Sequence, residues 1–195
     1  MMAMSDLFDA PVLPGLATAA SFVTPAEELA LITAIDAANL SPFRFQGWIG
    51  KRLTASYGWT YDFETGRMSQ ADPLPGWLLP FRDRAAGFAG LPPEELVQAL
   101  LIRYGTAAGI GWHKDRPTFE HVVGISLGAP AIMRFRRRRG EKFERASLPL
   151  EPRGAYHLSG EARHEWEHSI AEMDRERWSV TFRSLAIREP SPGRP

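Results

Sequence analysis

The chain has 195 residues, of which 44% are hydrophobic and 11% aromatic, so it is long enough to fold as one domain, 1–195, around a well-filled core. Its 23 basic and 23 acidic side chains cancel, which excludes a global electrostatic field for nucleic acid and leaves any such affinity to a local patch. The absence of cysteine excludes disulfides and thiolate-based metal sites, so a metal ion would need His, Asp or Glu ligands.

The first twenty residues do not have the pattern of a signal peptide. They carry Asp6 and Asp9 and are interrupted by Pro11 and Pro14, so both the basic start and the unbroken apolar run are missing. No apolar stretch in the sequence approaches the ~20 residues that span a membrane. We therefore expect a cytoplasmic, monomeric protein without a membrane segment.

Helices are predicted in the N-terminal half of the chain. The first, from about Pro25 to Ala38, begins with a capping box made by Thr24 and Glu27. A second helix is predicted at Trp77–Phe88, and a short third one after Pro92. Helices in these positions can cover one face of a sheet.

From residue 98 onward, short apolar or alternating runs separated by Gly, Pro and charged turns are typical of strands. Evenly spaced short strands that follow helices predict a mainly β fold with flanking helices, of the sandwich, jelly-roll or barrel type. The tail 189–195 is expected to be disordered. The predicted strands are Gln98–Tyr104, Val122–Leu127, Ala131–Arg136, Gly154–Leu158 and Arg177–Ile187.

The densest chemical signal is a pair of segments that can supply two imidazoles and one carboxylate. His113 and Asp115 lie two residues apart and, in an extended segment, point to the same side. A distant histidine can reach the same point if the strands fold back on one another. Two His and one carboxylate on one face of an iron leave three positions open, as oxygen activation requires. The alternative is a packed or surface histidine beside a solvated aspartate.

Four other histidines are candidates for the third ligand. His121 and His157 lie at predicted strand starts without a second ligand at matching spacing, which favours structural or surface roles. His164 and His168 are four residues apart, and strand alternation places them on the same face. Periodicity therefore does not separate His164 from His168.

The segment from residue 177 to 183 alternates strictly and predicts a half-buried strand with one apolar and one cationic, hydroxylated face. An edge strand with solvated arginines would have the same pattern. A dicarboxylate bound near an iron, however, needs a cation for its far carboxylate, and a guanidinium offers a bidentate partner. The polar face consists of Arg177, Ser179, Thr181 and Arg183.

Five short motifs follow one another over about half of the chain. They are Tyr104 ahead of Gly-Trp-His113-Lys-Asp115, Ser126-Leu-Gly-Ala-Pro-Ala131, Leu158-Ser-Gly-Glu-Ala-Arg163, Trp166-Glu-His168-Ser-Ile170 and Arg177-Trp-Ser-Val-Thr-Phe-Arg183. Together they resemble the AlkB family of non-haem Fe(II)- and 2-oxoglutarate-dependent dioxygenases. The resemblance implies a double-stranded β-helix (jelly roll) with its core at about 97–187, N-terminal helices and a substrate lid.

The same resemblance implies the cofactors and the catalytic residues. Fe(II) would be the metal, with 2-oxoglutarate and O2 as co-substrates, and oxidative decarboxylation to succinate would be coupled to hydroxylation of a substrate carbon. The implied catalytic metal ligands are His113, Asp115 and His168. The implied contacts of 2-oxoglutarate are Tyr104, Arg177, Ser179 and Arg183, although Ile102 and Ser179 stand where the family often has asparagine.

The predicted substrate is an N-alkylated base in DNA or RNA, either single-stranded or flipped out of a helix. One alternative is an AlkB-like dioxygenase that acts on a protein or a small molecule. The neutral net charge favours it, as does Pro117, which stands where DNA-repair members tend to have an acidic residue. The other alternative is a non-catalytic jelly-roll binding module.

Two segments are candidates for contacting the nucleic acid. Residues 50–61 mix aromatic rings and cations, which can stack on a base and hold a phosphate, although a surface hairpin would have the same composition. In a basic run, alternation places Arg134 and Arg136 on the surface, with Arg137–Arg139 in the turn before Gly140. A solvated hairpin tip is the alternative there. The candidate substrate residues are Arg52, Tyr57, Tyr61, Arg136 and Arg138.

Overall fold

Strands form most of the fold in the computed structural model, which describes residues 12–45, 48–61 and 67–186. The extreme N-terminus and the predicted disordered tail lie outside the described residues. Within the described ranges there are thirteen strands and three α-helices. The helices are α1 (Pro25–Ala37), α2 (Leu79–Ala89) and α3 (Gly160–His164), with short 3-10 helices at Gly76–Leu78 and Pro93–Glu95. The strands are β1 (Leu16–Ala19), β2 (Ser41–Phe45), β3 (Trp48–Tyr57), β4 (Trp59–Tyr61), β5 (Met68–Gln70), β6 (Leu96–Tyr104), β7 (Ile110–His113), β8 (Phe119–Gly128), β9 (Ala131–Arg139), β10 (Lys142–Leu150), β11 (Ala155–Leu158), β12 (Glu167–Ile170) and β13 (Arg177–Leu185).

Two antiparallel sheets pack face to face. The large sheet has the order β1-β11-β8-β13-β6-β3-β2, the small sheet has the order β10-β9-β12-β7, and β4 and β5 form a separate ribbon. One apolar core lies between the sheets and joins Tyr104 and Tyr156 of the large sheet to Met133 and Phe135 of the small one. This arrangement is the double-stranded β-helix that the resemblance implied, so the predicted fold class is confirmed.

The N-terminal helices cover the outer face of the large sheet, as predicted. Helix α1 begins with the expected capping box: the Thr24 backbone N–H donates to the Glu27 carboxylate at 2.8 Å, and the Glu27 N–H donates to the Thr24 hydroxyl at 3.2 Å. Helix α2 ends at Gly90, whose φ of 70° is the left-handed conformation that favours glycine. None of the described helices is long and apolar enough to cross a membrane.

Strand β13 is more deeply buried than its sequence predicted. It lies between β8 and β6, and seven of its nine residues are buried. The expectation of a strand with one solvated face is therefore wrong, and so is the alternative of an edge strand. Val180 and Phe182 pack against the helix-side core, as the apolar pattern indicated. The polar face, including Arg177, is covered by the small sheet instead of by solvent. Polar residues on that face are therefore interior groups.

The basic run also differs from its predicted conformation. Arg137–Arg139 belong to β9, which pairs with β10 as far as Arg139↔Lys142, so they are not in the turn. The turn is reduced to two residues because Gly140 adopts a φ of 58°, which permits a tight hairpin. As predicted, Arg134 is exposed on the outer face of the small sheet. Strand β10 was not predicted, since one of its faces is solvated and its sequence is largely polar.

Candidate active site

A pocket between the two sheets collects the residues that the motifs singled out. Strands β6 and β13 line it from the large sheet, and β7 and β12 from the small sheet. Because β7 and β12 are neighbours in the small sheet, segments more than 50 residues apart in sequence meet here. All seven predicted ligands and co-substrate contacts line this pocket: Tyr104, His113, Asp115, His168, Arg177, Ser179 and Arg183.

Two histidines face each other across neighbouring strands. His113 ends β7, His168 lies on β12, and the two are direct cross-strand partners with ring centroids 4.3 Å apart. The Nδ1 of His113 lies 2.9 Å from the carbonyl oxygen of Gly111. A carbonyl only accepts hydrogen bonds, so Nδ1 carries the proton and Nε2 keeps its lone pair. This tautomer is the one in which Nε2 can bind a metal ion.

Asp115 completes the group of candidate ligands. It follows the end of β7 by two residues, and its Oδ2 lies 3.7 Å from the Nε2 of His168. Its other oxygen, Oδ1, accepts hydrogen bonds from Nη2 and Nε of Arg183 at 2.9 and 3.2 Å. Gln98 in turn accepts a hydrogen bond from Nη1 of Arg183 at 3.1 Å. Arg183 thus fixes the orientation of the carboxylate.

Burial and charge keep these groups in the protonation states of metal ligands. Burial by itself would raise the pKa of Asp115, but Arg183 and the two histidines hold that pKa well below its usual range. Burial lowers the pKa of His168 to about 3, with a further contribution from His113, and burial also lowers the pKa of His113. Two neutral imidazoles and one carboxylate are a donor set that fits Fe(II). Among the described residues, no group of three His, Asp or Glu side chains has the spacing of an assembled metal site.

Arg177 is a buried cation without a carboxylate partner among the described residues. Its side chain is almost fully buried, its Nε donates to the Ser126 hydroxyl at 3.2 Å, and its Nη1 has no hydrogen-bond partner in the described part of the chain. The guanidinium lies 4.9 Å from the ring centre of Tyr104. A buried, unsatisfied guanidinium is costly unless an anion pairs with it. The distal carboxylate of a dicarboxylate such as 2-oxoglutarate fits this requirement.

His164, the competitor of His168, is not in a strand. It ends helix α3, so strand alternation does not apply to it and the placement of both histidines on one strand face was wrong. Its Nε2 lies 2.8 Å from the carboxylate of Glu120 and its side chain is exposed. It lies at the mouth of the site and not among the inner pocket residues.

The pocket opens into a larger cleft of about 1110 Å³. The two share His113, Asp115 and Arg183 among their lining residues, so two of the three candidate ligands lie at the floor of the cleft. Among the residues that the structure describes, the cleft wall has one acidic side chain, Asp115, although the whole chain is neutral. Its basic side chains are Arg44, Arg52, Lys114, Arg116, Arg163 and Arg183.

The predicted substrate residues fall in different places. Arg52 lies on β3 in the cleft wall, with its guanidinium 3.8 Å from the ring centre of Phe43, and burial lowers its pKa. Tyr57 packs against the helix-side core and does not line the cleft. The side chain of Tyr61 lies outside the described residues. Arg136 and Arg138 are on the outer face of the small sheet.

Three basic residues of the cleft were missed by the sequence analysis. Lys114 and Arg116 flank the candidate ligand Asp115, and Arg44 lies on β2, which pairs with the strand that carries the candidate segment 50–61. Lys114 and Arg116 could have been found, since in an irregular segment the residues beside a ligand line the entrance to its site.

His121 and His157, for which a structural or surface role was expected, contact each other outside the inner pocket. The Nδ1 of His121 lies 2.9 Å from the Nε2 of His157, and their rings stack on the helix side of the large sheet, beside Phe88. Burial, and then the neighbouring His121, lower the pKa of His157 to about 4. These residues do not line the inner pocket.

Comparisons with known proteins identify the family of this chain. A model described as the 2OG-Fe(II) oxygenase superfamily matches residues 24–189. The chain is 30% identical over 184 residues to the "Alkylated DNA repair protein ALKBH8 homolog" of Arabidopsis thaliana, covering 81% of this chain and 51% of the plant protein. It is 29% identical over 162 residues to the "tRNA (carboxymethyluridine(34)-5-O)-methyltransferase alkbh8" of Xenopus tropicalis, covering 80% of this chain and 25% of the frog protein. The chain thus spans about half of the length of the plant protein and about a quarter of the length of the frog protein.

A solved structure supports the same fold. The structure of OsALKBH1 superposes with a TM-score of 0.69 and covers 87% of this chain and 96% of its own, at 15% identity. At that identity the similarity concerns the fold alone. The family match extends over most of the chain, from α1 to the end of β13. The chain therefore belongs to the 2OG-Fe(II) oxygenase superfamily, as an AlkB-like 2-oxoglutarate-dependent dioxygenase.

Proposed function

We propose that this dioxygenase oxidises an alkylated base in single-stranded RNA. The observation that carries the proposal is the cleft above the candidate ligands, whose described lining residues include six basic side chains and one acidic side chain in a chain of zero net charge. Such a concentration of one sign of charge attracts a polyanion to the floor of the cleft. Phe43 and Trp112 in the same wall offer rings on which a base can stack.

In this proposal, Fe(II) is held by His113, Asp115 and His168. When bound, the iron supplies the activation of O2 and the oxidative decarboxylation of 2-oxoglutarate. The chain's own residues position and desolvate the reactants. Arg177 pairs with the distal carboxylate of 2-oxoglutarate, while Arg183 holds Asp115 in place. The apolar side chains between the sheets exclude water from the pocket.

RNA is favoured over DNA by the similarity to a relative whose name refers to tRNA. A second relative is named for the repair of alkylated DNA, so DNA is the competing substrate. RNA loops present unstacked bases that can enter a cleft without the cost of opening a duplex. Pro117, which has no carboxylate with which to contact a flipped base, lies in the cleft wall.

The proposal is tested by measuring succinate formation from 2-oxoglutarate with Fe(II) and O2, in the presence of methylated RNA, methylated DNA of the same sequence, and peptides. We expect RNA to stimulate turnover most and to release formaldehyde where the base carries an N-methyl group. Stimulation by peptides alone, with no effect of either nucleic acid, would overturn the proposal. Lys114→Gln is expected to weaken stimulation by RNA, and Arg82→Gln, on helix α2, is the control that should not.

A further inference from the structure

The outer face of the small sheet carries a row of alternating rings and guanidinium groups. The guanidinium of Arg136 lies 4.5 Å from the ring centre of Trp112 and 4.8 Å from that of Phe143, and Arg145 lies 5.8 Å from Phe143. Arg134 also approaches Trp112, at 5.3 Å. The row crosses from β7 to β10, which is about 14 Å at the usual strand spacing. Rings and cations that alternate in this way are typical of surfaces that bind single-stranded nucleic acid.

The charge on this face is unbalanced. Alternation along β9 and the β9–β10 register place four arginines on the outer face. Among the described residues, one acidic side chain pairs with any of these arginines: Glu167, which binds Arg136 at 2.6 Å. Arg138 and Arg145 have no carboxylate partner in the described part of the chain. The four arginines are Arg134, Arg136, Arg138 and Arg145.

The cross-strand register adds a second argument. Arg136 is the direct partner of Arg145, and like charges that face each other across two strands destabilise a sheet. Glu167 offsets only one of the two charges. An anion bound over the pair would offset the other.

This face is continuous with the cleft. Trp112 begins the row and also lines the cleft, and it immediately precedes the candidate ligand His113. By contrast, Arg137 and Arg139 are on the opposite side of β9 and pair with Glu144, so they do not contribute. An RNA strand with one base in the cleft would therefore leave the cleft over Trp112 and cross the sheet toward Phe143.

We propose that the outer face of the small sheet, defined by Trp112, Arg134, Arg136, Arg138, Phe143 and Arg145, binds the single-stranded RNA that flanks the base in the cleft. This inference rests on the proposed function, since it concerns the same substrate. Phosphates contact the arginines, and bases next to the target stack on Phe143. The surface therefore favours longer single-stranded RNA, and it does not distinguish between target bases.

The test measures binding of two fluorescent RNA probes, a trinucleotide and a mixed-sequence single strand of about 15 nucleotides, within the usual site sizes of such surfaces. The variant Arg138→Gln/Arg145→Gln is expected to flatten the dependence of log affinity on log salt by about 1.4 for the long probe, at 0.7 per phosphate contact. Its binding of the trinucleotide should equal that of the wild type. Phe143→Ala should weaken binding of the long probe by about 5- to 150-fold, as expected for one lost stacked base.

Two further variants make the outcomes distinguishable. Lys114→Gln should weaken binding of both probes, because Lys114 lies in the cleft, and Arg82→Gln on helix α2 should change neither. If the long probe binds and Lys114→Gln weakens it, while Arg138→Gln/Arg145→Gln keeps the wild-type slope, the surface is wrong and the proposed function stands. If the wild type binds neither probe in a salt-dependent way, both proposals fall. Binding of DNA, but not RNA, of the same sequence would overturn the assignment to RNA.

Discussion

Arg177 and Arg183 lie on the same face of β13 but have different electrostatic partners. Arg183 is paired with the buried carboxylate of Asp115, whereas Arg177 has the Ser126 hydroxyl and the Tyr104 ring. Removal of Arg183 leaves a buried anion unpaired, and removal of Arg177 eliminates a buried cation that was itself unpaired. The two substitutions therefore have opposite effects on the stability of the metal-free protein.

We expect Arg177→Met to raise the free energy of unfolding of the metal-free protein by about 1–4 kcal/mol, and Arg183→Met to lower it by about 3–5 kcal/mol. Arg177→Met should also raise the KM for 2-oxoglutarate by about 10- to 150-fold, the value of a charge-assisted hydrogen bond. Urea unfolding and steady-state kinetics measure the two effects. Loss of stability in both variants would show that Arg177 is a structural cation.

The choice between two histidines gives a second prediction at the residue scale. His168→Ala should abolish retention of Fe(II), because the two protein ligands that remain are too few to hold the ion. His164→Ala should retain Fe(II), since His164 lies on α3 beside Glu120. Iron bound per chain after anaerobic dialysis measures the difference. Retention by His168→Ala together with loss in His164→Ala would reverse the assignment.

A glycine in the large sheet controls how closely β8 and β11 pack. A Cβ added at Gly124 would collide with the ring of Tyr156, its cross-strand partner, which is buried between the sheets. We expect Gly124→Ala to destabilise the protein by about 1–3 kcal/mol through overpacking, as measured by urea unfolding. Gly87→Ala is the matched control, because a Cβ added at Gly87 in α2 would meet no described atom within 4 Å apart from the helix backbone, and it should stabilise by about 0.5–1 kcal/mol. A destabilisation of the same size at Gly87 would show that the effect does not come from packing.

Elements with a local signal could be predicted from the sequence. Helix α1 is specified by its capping box and Pro25, and β6 and β8 by apolar runs, so their positions agree with the prediction to within a few residues. That His113 and His168 belong to one site was implied by the family resemblance, because strand periodicity alone did not separate His168 from His164. Short strands with a solvated face, such as β10, have too few apolar residues to be recognised.

Elements that depend on distant neighbours could not be predicted. The alternation of β13 is the same whether the strand is at an edge or at the centre of a sheet, and only its pairing with β6 and β8 decides. Helix α3 has five residues and no apolar periodicity, so His164 was counted along a strand that does not exist there. Burial of a polar face is a property of the assembled sheets.

At the scale of the whole molecule, zero net charge conceals a separation of charge. Arg44, Arg52 and Lys114 come from β2, β3 and the segment after β7, and they converge in one cleft only after the sheets have formed. The net charge therefore gave no indication of this basic surface. Acidic side chains are concentrated elsewhere, for example around Arg137, which pairs with Glu144 and Glu165.

The buried histidines couple the stability of the whole molecule to pH. His157 and His168 have a pKa of about 4 and about 3 in the folded protein, chiefly because burial disfavours the charged ring. In the unfolded chain a histidine has a pKa of about 6.5. Below about pH 6.5 the unfolded chain therefore binds protons that the folded chain does not, so the folded state loses stability as the pH falls toward these lowered values.

We expect the free energy of unfolding to decrease as the pH falls from about 7 to 5, with each of these histidines contributing at most about 1.4 kcal/mol per pH unit. His157→Gln removes one titrating group that is remote from the candidate metal ligands, so it should reduce the slope by up to that amount. Urea unfolding of the metal-free protein at several pH values measures the slope. The wild type and His157→Gln should differ most near pH 5, where the unfolded wild-type chain is protonated at this position and the folded one is not. Parallel curves for the two proteins would show that His157 has the same proton affinity in the folded and unfolded states, and that its pair with His121 contributes nothing to acid sensitivity.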